Sequence, residues 1–536
     1  MAEQAVIGPS ALRLPAAHRD HRRPPWYLLI APAVVAAAML VPLVYLVVRA
    51  TEADGTVLAA LIFRHRNLVL LGNTLMLAGG VVAATTAVAL PLAWLVTRTD
   101  IPAARLITFL SVLPLSVPGY VMAFALLSLG GNYGFMARVF GITMARPSGF
   151  WGALVALSLY CFPYVFLNVR ASLAGMDASL EESARSMGYG HREVLRRVIL
   201  PHLTPALFSG WLIVAIYVLG DFGAIALMRY EVFSYAIFTQ YSGAFDRIYA
   251  AWLSLMLLAL AMIPVLLEGR LLRRARFART GTGVARPMAR IRLGAWRLPA
   301  LGFVALTVAA SIGLPFGMLA YWLSLRPPWA QLAGVGQAFL YSAGAAAPAA
   351  VLTVLVALPI AYLRVRYPSR LSRTTERLVY IGYALPPLSL ALAMVFFSLR
   401  VLRPLYQSLP LLVIAYMISF LALAMGPIRA ALLQAPRRLE EAGRSLGLSP
   451  LASFTRTVLP LLRRGVLASL GLVFVVVMKE LPIAFLLAPT GYTTLAVAVF
   501  SRTSEAMHVE AAPYAAAIVL FSSLFVGLLL RHEGKG

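Results

Sequence analysis

The sequence has little charge, a single cysteine and almost no lysine. Charged residues make up 12% of the 536 residues and hydrophobic residues 61%, whereas soluble proteins carry about 25% charged residues. The lone Cys161 excludes an internal disulfide framework, a multi-cysteine zinc site and a protein-ligated iron–sulfur cluster. Neither Lys479 nor Lys535 stands in a Gly-x-x-x-x-Gly-Lys-Ser/Thr phosphate loop, so the chain is not a nucleotide hydrolase. This composition is that of an integral membrane protein.

Long apolar runs recur along the whole chain. A helical span needs about 20 mostly apolar residues, and a helix satisfies its own backbone hydrogen bonds in lipid. The sequence therefore predicts an all-α integral membrane protein with about twelve transmembrane helices. They are expected at 27–48, 68–96, 106–129, 150–169, 204–228, 250–268, 298–323, 338–363, 378–399, 409–428, 465–488 and 511–530.

The basic residues lie mainly on one side of these spans. With the N-terminus inside, 34 basic residues are cytoplasmic, 11 lie outside and Lys479 lies within a span. Since positively charged loops tend to stay in the cytoplasm, both termini are predicted to be cytoplasmic. The expected divisions are an N-terminal tail (1–26), a six-helix half (27–269), a basic linker (270–297), a second six-helix half (298–530) and a C-terminal tail (531–536).

The net charge of +26 follows from this topology. In a soluble protein it would suggest nucleic-acid binding, but here the arginines flank the spans, and we expect the lipid bilayer rather than a nucleic acid as the partner. The linker (270–297) has nine arginines and no acidic residue, which indicates either a solvated topology signal or an anchor for anionic lipid head groups. The seven histidines are scattered, so we expect no metal site and no cofactor in this chain.

One internal repeat is much sharper than shared hydropathy would produce. The segment from Glu181 to Pro201 aligns without gaps on the segment from Glu440 to Pro460, with 8 of 21 positions identical. The copies lie in two predicted cytoplasmic loops, 170–203 and 429–464. A weaker similarity links 90–95 to 358–363. The whole six-helix unit is therefore predicted to be duplicated, with the halves related by a pseudo-two-fold axis along the membrane normal.

The repeated loops have the properties of docking elements. Glutamates at the start of a short helix favour its positive end, and Gly188 and Gly447 are suited to a sharp turn at its end. A second short helix is expected from about Arg192 to Leu200, before Pro201 starts the next span. Two such loops on one face of a pseudo-symmetric bundle suit a symmetric pair of cytoplasmic partners.

The loop pattern resembles that of the permease subunits of ATP-binding-cassette importers. Glu182-Ser-Ala184, Gly188 and Leu200-Pro201 match the family's Glu-Ala-Ala, Gly and Leu-Pro positions, as do Glu441-Ala442-Gly443, Gly447 and Leu459-Pro460, with departures at Ser183, Gly443 and Thr457. The resemblance implies that each loop docks one of two separate ATPase subunits, which bind the ATP. The residues implied in this coupling are Glu181, Glu182, Ala184, Gly188, Leu200, Pro201, Glu440, Glu441, Ala442, Gly447, Leu459 and Pro460.

Three charged residues fall inside predicted spans. Asp221 and Glu480 are equivalent under the 259-residue offset that aligns the loops, and Lys479 precedes Glu480. Charges within spans are costly and favour a functional role, here in lining the translocation pathway. The alternative is that they are satisfied at helix breaks near the outer interface. The aromatic residues from Tyr230 to Phe245 favour an interfacial belt over a ligand cage.

The fused arrangement is similar to ferric-iron importer permeases, a subgroup that also resembles thiamine and 2-aminoethylphosphonate permeases. The segments Asp221-Phe-Gly-Ala224 and Lys479-Glu-Leu-Pro-Ile-Ala484 carry this similarity. It implies a multi-pass protein of the bacterial inner membrane that receives ferric iron from a periplasmic binding protein. The alternative from another class is a twelve-span secondary transporter driven by an ion gradient, with Asp221 and Glu480 as its cation sites.

Overall fold

Helices form nearly all the regular structure of the protein. The computed structural model describes residues 26–52, 54–274, 290–325 and 331–533. In the first half the α-helices are α1 Ile30–Ala50, α2 Gly55–Ile62, α3 His65–Arg98, α4 Ala104–Val112, α5 Gly119–Leu127, α6 Phe135–Phe140, α7 Gly149–Ala174, α8 Ala178–Ser186, α9 His191–Val194, α10 Leu200–Gly220, α11 Gly223–Leu227, α12 Phe233–Ser242 and α13 Arg247–Arg274. In the second half they are α14 Arg297–Val308, α15 Leu314–Ser324, α16 Leu332–Arg366, α17 Arg370–Ala384, α18 Pro387–Val401, α19 Leu409–Gln434, α20 Arg437–Ser445, α21 Pro450–Ser453, α22 Leu459–Met478, α23 Pro482–Leu487, α24 Leu495–Ser504 and α25 His508–Glu533.

The helices confirm the twelve predicted spans. In the described residues, 10 helices are long and apolar enough to cross a membrane, and the number is 12 if each of two bent helix pairs counts as one span. The pair Ala104–Ser116 and Gly119–Leu127 bends by 90°, and the pair Arg370–Ala384 and Pro387–Val401 bends by 102°. Each bend falls where a residue in extended conformation precedes a proline, at Val117-Pro118 and Leu385-Pro386, because proline disfavours a helical residue before it.

The fifth predicted span of each half differs from the expected boundaries. Instead of running over 204–228, α10 ends at Gly220, and α22 ends at Met478 rather than continuing to 488. The short helices α11 and α23 follow after a break in each case. The extended residue Asp221 ends α10, and proline in the first turn of α23 marks the start of a new helix.

The second short helix predicted for each repeated loop is not a separate element. The chain from His191 runs through α9 and a π-helical turn, Leu195–Ile199, directly into α10. The second half has the same sequence of α21, a π-helical turn at Phe454–Val458 and α22. Pro201 and Pro460 follow these turns. Since proline lacks an N–H and its ring crowds the carbonyl four residues before it, a wider turn there lets the helix continue.

The two halves repeat the same packing. Helix α3 lies against α7 and α7 against α10, while the equivalent α16 lies against α19 and α19 against α22. Helix α1 crosses to the other half and contacts α18, and α25 contacts α15. The pseudo-symmetric arrangement confirms the duplicated architecture.

The linker returns to the first half close to the first repeated loop. The backbone of Ile291 pairs with that of Arg98 and Asp100, and the Asp100 side chain accepts a hydrogen bond of 2.9 Å from the Leu293 amide. Most of the predicted N-terminal tail (1–26), much of the linker (270–297) and the last residues of the C-terminal tail (531–536) lie outside the described residues.

Candidate functional site

The first repeated loop contains one short helix with both ends defined by its sequence. The Asp177 side chain accepts a hydrogen bond from the Ser179 amide and caps the start of α8. Gly188 ends the helix in the left-handed region, with φ of +87°. The Tyr189 amide then donates to the Ala184 carbonyl over 3.2 Å, which closes the C-terminal turn. The turn predicted at Gly188 is confirmed.

The second repeated loop has the same geometry as the first, except that a glycine, Gly443, replaces a buried alanine and a serine packs against it. Gly447 has φ of +83°, and the Leu448 amide donates to the Gly443 carbonyl over 3.1 Å. Gly443 takes the buried place of Ala184, while Ala442 lies exposed. A Cβ on Gly443 would come within 2.7 Å of Ser453 Oγ. The departure at Gly443 therefore makes room for Ser453, which donates to the Glu440 carbonyl over 2.9 Å.

The first glutamate of the second loop is buried and held by the long helix α16. The Glu440 carboxylate accepts hydrogen bonds from the Tyr362 hydroxyl over 2.7 Å and from Arg366 Nε over 2.8 Å. Arg366 also donates to the Ala435 carbonyl over 2.9 Å. The side chains of Arg366 and Glu440 are 9% and 7% exposed. This pair fixes the start of α20 to the end of α16.

The first glutamate of the first loop makes the equivalent contact. Glu181 forms ion pairs with the buried Arg98, at the end of α3, and with Arg185. Arg98 also lies over the Trp94 ring, with its guanidinium carbon 5.4 Å from the ring centroid. Although partial burial alone would raise the pKa of Glu181, the hydrogen bonds and positive charges of Arg98 and Arg185 lower it from its usual value. Glu181 is therefore ionised at neutral pH. The two contacts, Arg98–Glu181 and Arg366–Glu440, are named the loop anchors below.

The second glutamates face away from the membrane bundle. Glu182 and Glu441 are exposed, and Glu441 lies 3.6 Å from Arg437 in an ion pair on the surface of α20. The equivalent residues Met187 and Leu446, at the tips of the turns, are 67% and 84% exposed. Both loops thus expose a carboxylate and an apolar side chain. This combination suits a protein partner with a groove that binds the tip of the loop.

The remaining loop residues stand at the start of the fifth spans. Leu200, Pro201 and Pro460 are exposed and Leu459 is half-buried, all in the first turn after a π-helical turn. Ala184 is buried at 2% exposure under α8. Here the chain continues as helix from each repeated loop into α10 or α22.

The carboxylates of Asp221 and Glu480 cap the short helices that follow the breaks. Asp221 Oδ1 accepts from the amides of Ala224 and Ile225 over 3.0 and 3.2 Å. The Glu480 carboxylate accepts from the amides of Ile483 and Ala484 over 3.0 to 3.2 Å. Burying a carboxylate costs free energy unless it is hydrogen-bonded, and these capping hydrogen bonds offset that cost. The two positions are equivalent in the structure as in the sequence.

Lys479 joins the two halves. Its Nζ donates to the Leu115 carbonyl over 3.0 Å, and its own carbonyl accepts from the Tyr120 hydroxyl over 3.1 Å. Leu115 and Tyr120 flank the bend in the third span of the first half. The lysine therefore fixes the bent span against the end of α22.

Four phenylalanines from both halves meet just beyond Asp221. Phe222 and Phe238 of the first half have ring centroids 5.0 Å apart, and Phe485 and Phe500 of the second half 5.4 Å apart. Across the halves, Phe222 lies 5.2 Å from Phe500 and Phe238 lies 5.6 Å from Phe485. We name these residues the phenylalanine cluster. The expectation of an interfacial belt was wrong for Phe238, whose ring packs between the halves.

Several of these residues could have been found from the sequence. The similarity of 90–95 to 358–363 extends three residues further to Arg98 and Arg366, which share the 268-residue offset. The 259-residue offset likewise pairs Met187 with Leu446. By contrast, no repeat places Phe222 beside Phe485, because this contact crosses from one half to the other. Among the described residues, no group of three His, Cys, Asp or Glu side chains could hold a metal ion.

Comparisons with known proteins agree with the duplication of the six-helix unit. A family model described as "Binding-protein-dependent transport system inner membrane component" matches residues 89–277 and again 349–532. Each match contains one repeated loop and its following span.

Individual relatives match the whole chain or one half of it. The Fe(3+)-transport system permease protein FbpB 2 of Haemophilus influenzae is 34% identical over 519 residues, which is 96% of this chain and 100% of that protein. The molybdenum transport system permease protein ModB of Escherichia coli is 31% identical over 195 residues, 34% of this chain and 84% of ModB. The spermidine/putrescine permease protein PotC of Haemophilus influenzae is 33% identical over 150 residues, 27% of this chain and 54% of PotC.

Proposed function

This chain belongs to the inner membrane components of binding-protein-dependent transport systems, with two copies of the family's domain fused, and we propose that it carries ferric iron into the cytoplasm. A periplasmic binding protein delivers the iron, and two copies of a separate ATPase subunit, which bind the ATP, drive its passage. In this arrangement both repeated loops and both termini face the cytoplasm. Similarity over nearly the whole chain to the iron permease FbpB 2 supports the substrate.

The observation that carries the proposal is the paired geometry of the loops. Each presents an exposed glutamate, Glu182 or Glu441, and an exposed apolar tip, Met187 or Leu446. Each is also fixed to its own half by a buried loop anchor. Two equivalent docking sites suit two equivalent ATPase subunits, whose closure would move the halves against each other.

The pathway runs between the halves, where Asp221, Lys479 and Glu480 lie. Asp221 and Glu480 sit at equivalent helix breaks, and Lys479 holds the first half's bent span. A cation passing between the halves meets the Asp221 carboxylate there, while the phenylalanine cluster closes the path beyond it. ATP-driven movement of α10 and α22 would separate Phe222 and Phe238 from Phe485 and Phe500 and admit the substrate.

Uptake of radiolabelled ferric iron tests this function. Cells that express the chain with its ATPase and binding protein should accumulate iron, and an inactive ATPase should abolish the accumulation. Accumulation of thiamine or 2-aminoethylphosphonate instead, with the same ATPase dependence, would keep the importer and replace the substrate. Uptake that continues without the ATPase but collapses with the ion gradient would contradict the proposal and support a secondary transporter.

Weakening the phenylalanine cluster should open a leak. Phe238→Ala together with Phe500→Ala removes one ring from each half, and each large-to-small change in a packed site costs about 3–5 kcal/mol. We expect iron to leak from preloaded vesicles without ATP, at a rate well above that of the unmodified protein. Phe339→Ala is the control, because Phe339 packs on Phe521 away from the cluster. An equally fast leak in the control variant would mean general loosening of the bundle.

A further inference from the structure

A group of phenols lies beside Asp221 in the first half. The rings of Tyr160 and Tyr217 have centroids 4.8 Å apart, and those of Tyr164 and Tyr217 6.1 Å apart. Tyr160 and Tyr164 come from α7 and Tyr217 from α10. A hydroxyl in a membrane span needs a polar partner, and here the Tyr160 hydroxyl interacts with those of Tyr217 and Tyr164.

The second oxygen of the Asp221 carboxylate, Oδ2, lies close to one of these phenols, Tyr217. Both capping hydrogen bonds of Asp221 go to Oδ1. A Cβ on Gly119 would lie 3.2 Å from Asp221 Oδ2 and 3.8 Å from the Tyr217 hydroxyl. Because Gly119 has no side chain, these two oxygen atoms border one small gap, which a single methyl group would crowd and which Ala224 also lines.

The gap lies near the boundary between the halves, beside side chains that are only partly buried. Tyr164, Tyr217 and Asp221 are half-buried rather than sealed. Tyr383 of the second half lies near Tyr164 and is 43% exposed. A Cβ on Gly220 would lie 3.4 Å from Pro387, also of the second half. A substrate that moves between the halves can thus reach these oxygens.

The equivalent place in the second half is closed. Both oxygens of Glu480 accept amide hydrogen bonds, and the side chain is buried. The nearby Tyr120 and Tyr416 are 5% and 1% exposed. Only one of the two pseudo-equivalent carboxylates therefore offers an oxygen to a passing ion.

We propose that Asp221 Oδ2 and the Tyr217 hydroxyl form a one-sided transit site for a hard, oxygen-seeking cation. The site rests on the proposed iron import and specifies where the ion binds during passage. Carboxylate and phenolate oxygens are hard ligands, and tyrosinate is an established ligand of ferric iron. Binding releases one proton from the coordinating phenol to water in the pathway. With only one carboxylate and one phenol from the protein, the site holds the ion weakly enough to release it, which passage along a pathway requires.

Absorption spectroscopy of the complete reconstituted complex tests the site directly. Addition of ferric citrate should produce a visible tyrosinate-to-iron charge-transfer band. The band should be lost in Tyr217→Phe and strongly reduced in Asp221→Asn, and iron uptake by these variants should fall at least about tenfold. Tyr416→Phe is the matched control, since it removes a phenol from the closed side and should keep both the band and uptake.

The outcomes separate the transit site from the import function. ATPase-driven iron uptake without a band, or a band unchanged in Tyr217→Phe, would overturn the site and leave the import function intact. Absence of ATPase-driven iron uptake by the unmodified complex would overturn both. Gly119→Ala provides a second measurement, because its methyl group fills the space beside Asp221 Oδ2. It should weaken the band while the ATPase remains stimulated by the loaded binding protein.

Discussion

Replacing Gly188 and Gly447 by valine should abolish transport while the protein still inserts and folds. Both glycines adopt φ near +85°, at +87° and +83°, where a β-branched residue is a genuine outlier. The left-handed conformation costs other residues about 1–2 kcal/mol each. No neighbouring atom lies within 4 Å of a Cβ built at either position. The expected damage is therefore to the backbone turn and not to packing.

Loss of the turn should uncouple ATP hydrolysis by the partner subunit from transport by this chain. A changed turn redirects the exposed tips, Met187 and Leu446, and with them the surface offered to the ATPase. We expect iron uptake to fall at least about tenfold in the double variant, with ATP hydrolysis no longer stimulated by the loaded binding protein. Membrane levels of the chain, measured by immunoblotting, should stay normal.

Two further variants identify the cause. Asparagine tolerates the left-handed region, so Gly188→Asn with Gly447→Asn should retain much of the uptake. Gly190→Val adds the same side chain two residues away, where the backbone is not left-handed and the space is open, and should transport normally. Full uptake by the valine double variant would refute a coupling role for the turns.

The sequence was sufficient to predict those elements that depend on residues close together in the chain. Apolar runs gave all twelve spans, including both bent ones, and the repeated segment gave the two turns at Gly188 and Gly447. The ends of the fifth spans were misplaced because hydropathy continues across Asp221 and Glu480. A carboxylate that caps the next helix has the same local sequence as one inside a span. The distinction depends on backbone conformation at Asp221, which hydropathy does not report.

Contacts between distant segments could be predicted only where the duplication repeated them. The loop anchors recur in both halves. Arg98 is equivalent to Arg366 in the repeat, and Glu181 is equivalent to Glu440, so an alignment of the two halves indicates both anchors. The phenylalanine cluster and the contacts of Lys479 with Leu115 and Tyr120 occur once, between the halves. Their formation depends on how the halves dock, which is a tertiary property without local periodicity.

Breaking the second loop anchor should uncouple the ATPase from the spans. Arg366→Met leaves the buried Glu440 carboxylate with the Tyr362 hydroxyl and the nearby charge of Arg444, but without the guanidinium that is hydrogen-bonded to it. Removing one partner of a buried ion pair costs about 3–5 kcal/mol. If α20 detaches from α16, Glu440 reaches water and the rest of the protein stays folded. The free-energy cost of the unpaired charge then destabilises only the position of the loop. We therefore expect a mobile loop in a folded protein, and iron uptake reduced at least about tenfold.

Loop mobility can be measured independently of transport. The chain's one cysteine, Cys161, is buried, so a spin label on Leu446→Cys, a residue that is 84% exposed, should report on the second loop alone. Its motion should increase in Arg366→Met and increase less in Arg366→Lys, which keeps the charge but not the paired donors. Glu193→Gln is the matched control, because it removes an exposed ion pair, with Arg197 at 3.5 Å, worth little in water. An immobile label in Arg366→Met, together with unchanged uptake, would show that the anchor does not position the loop.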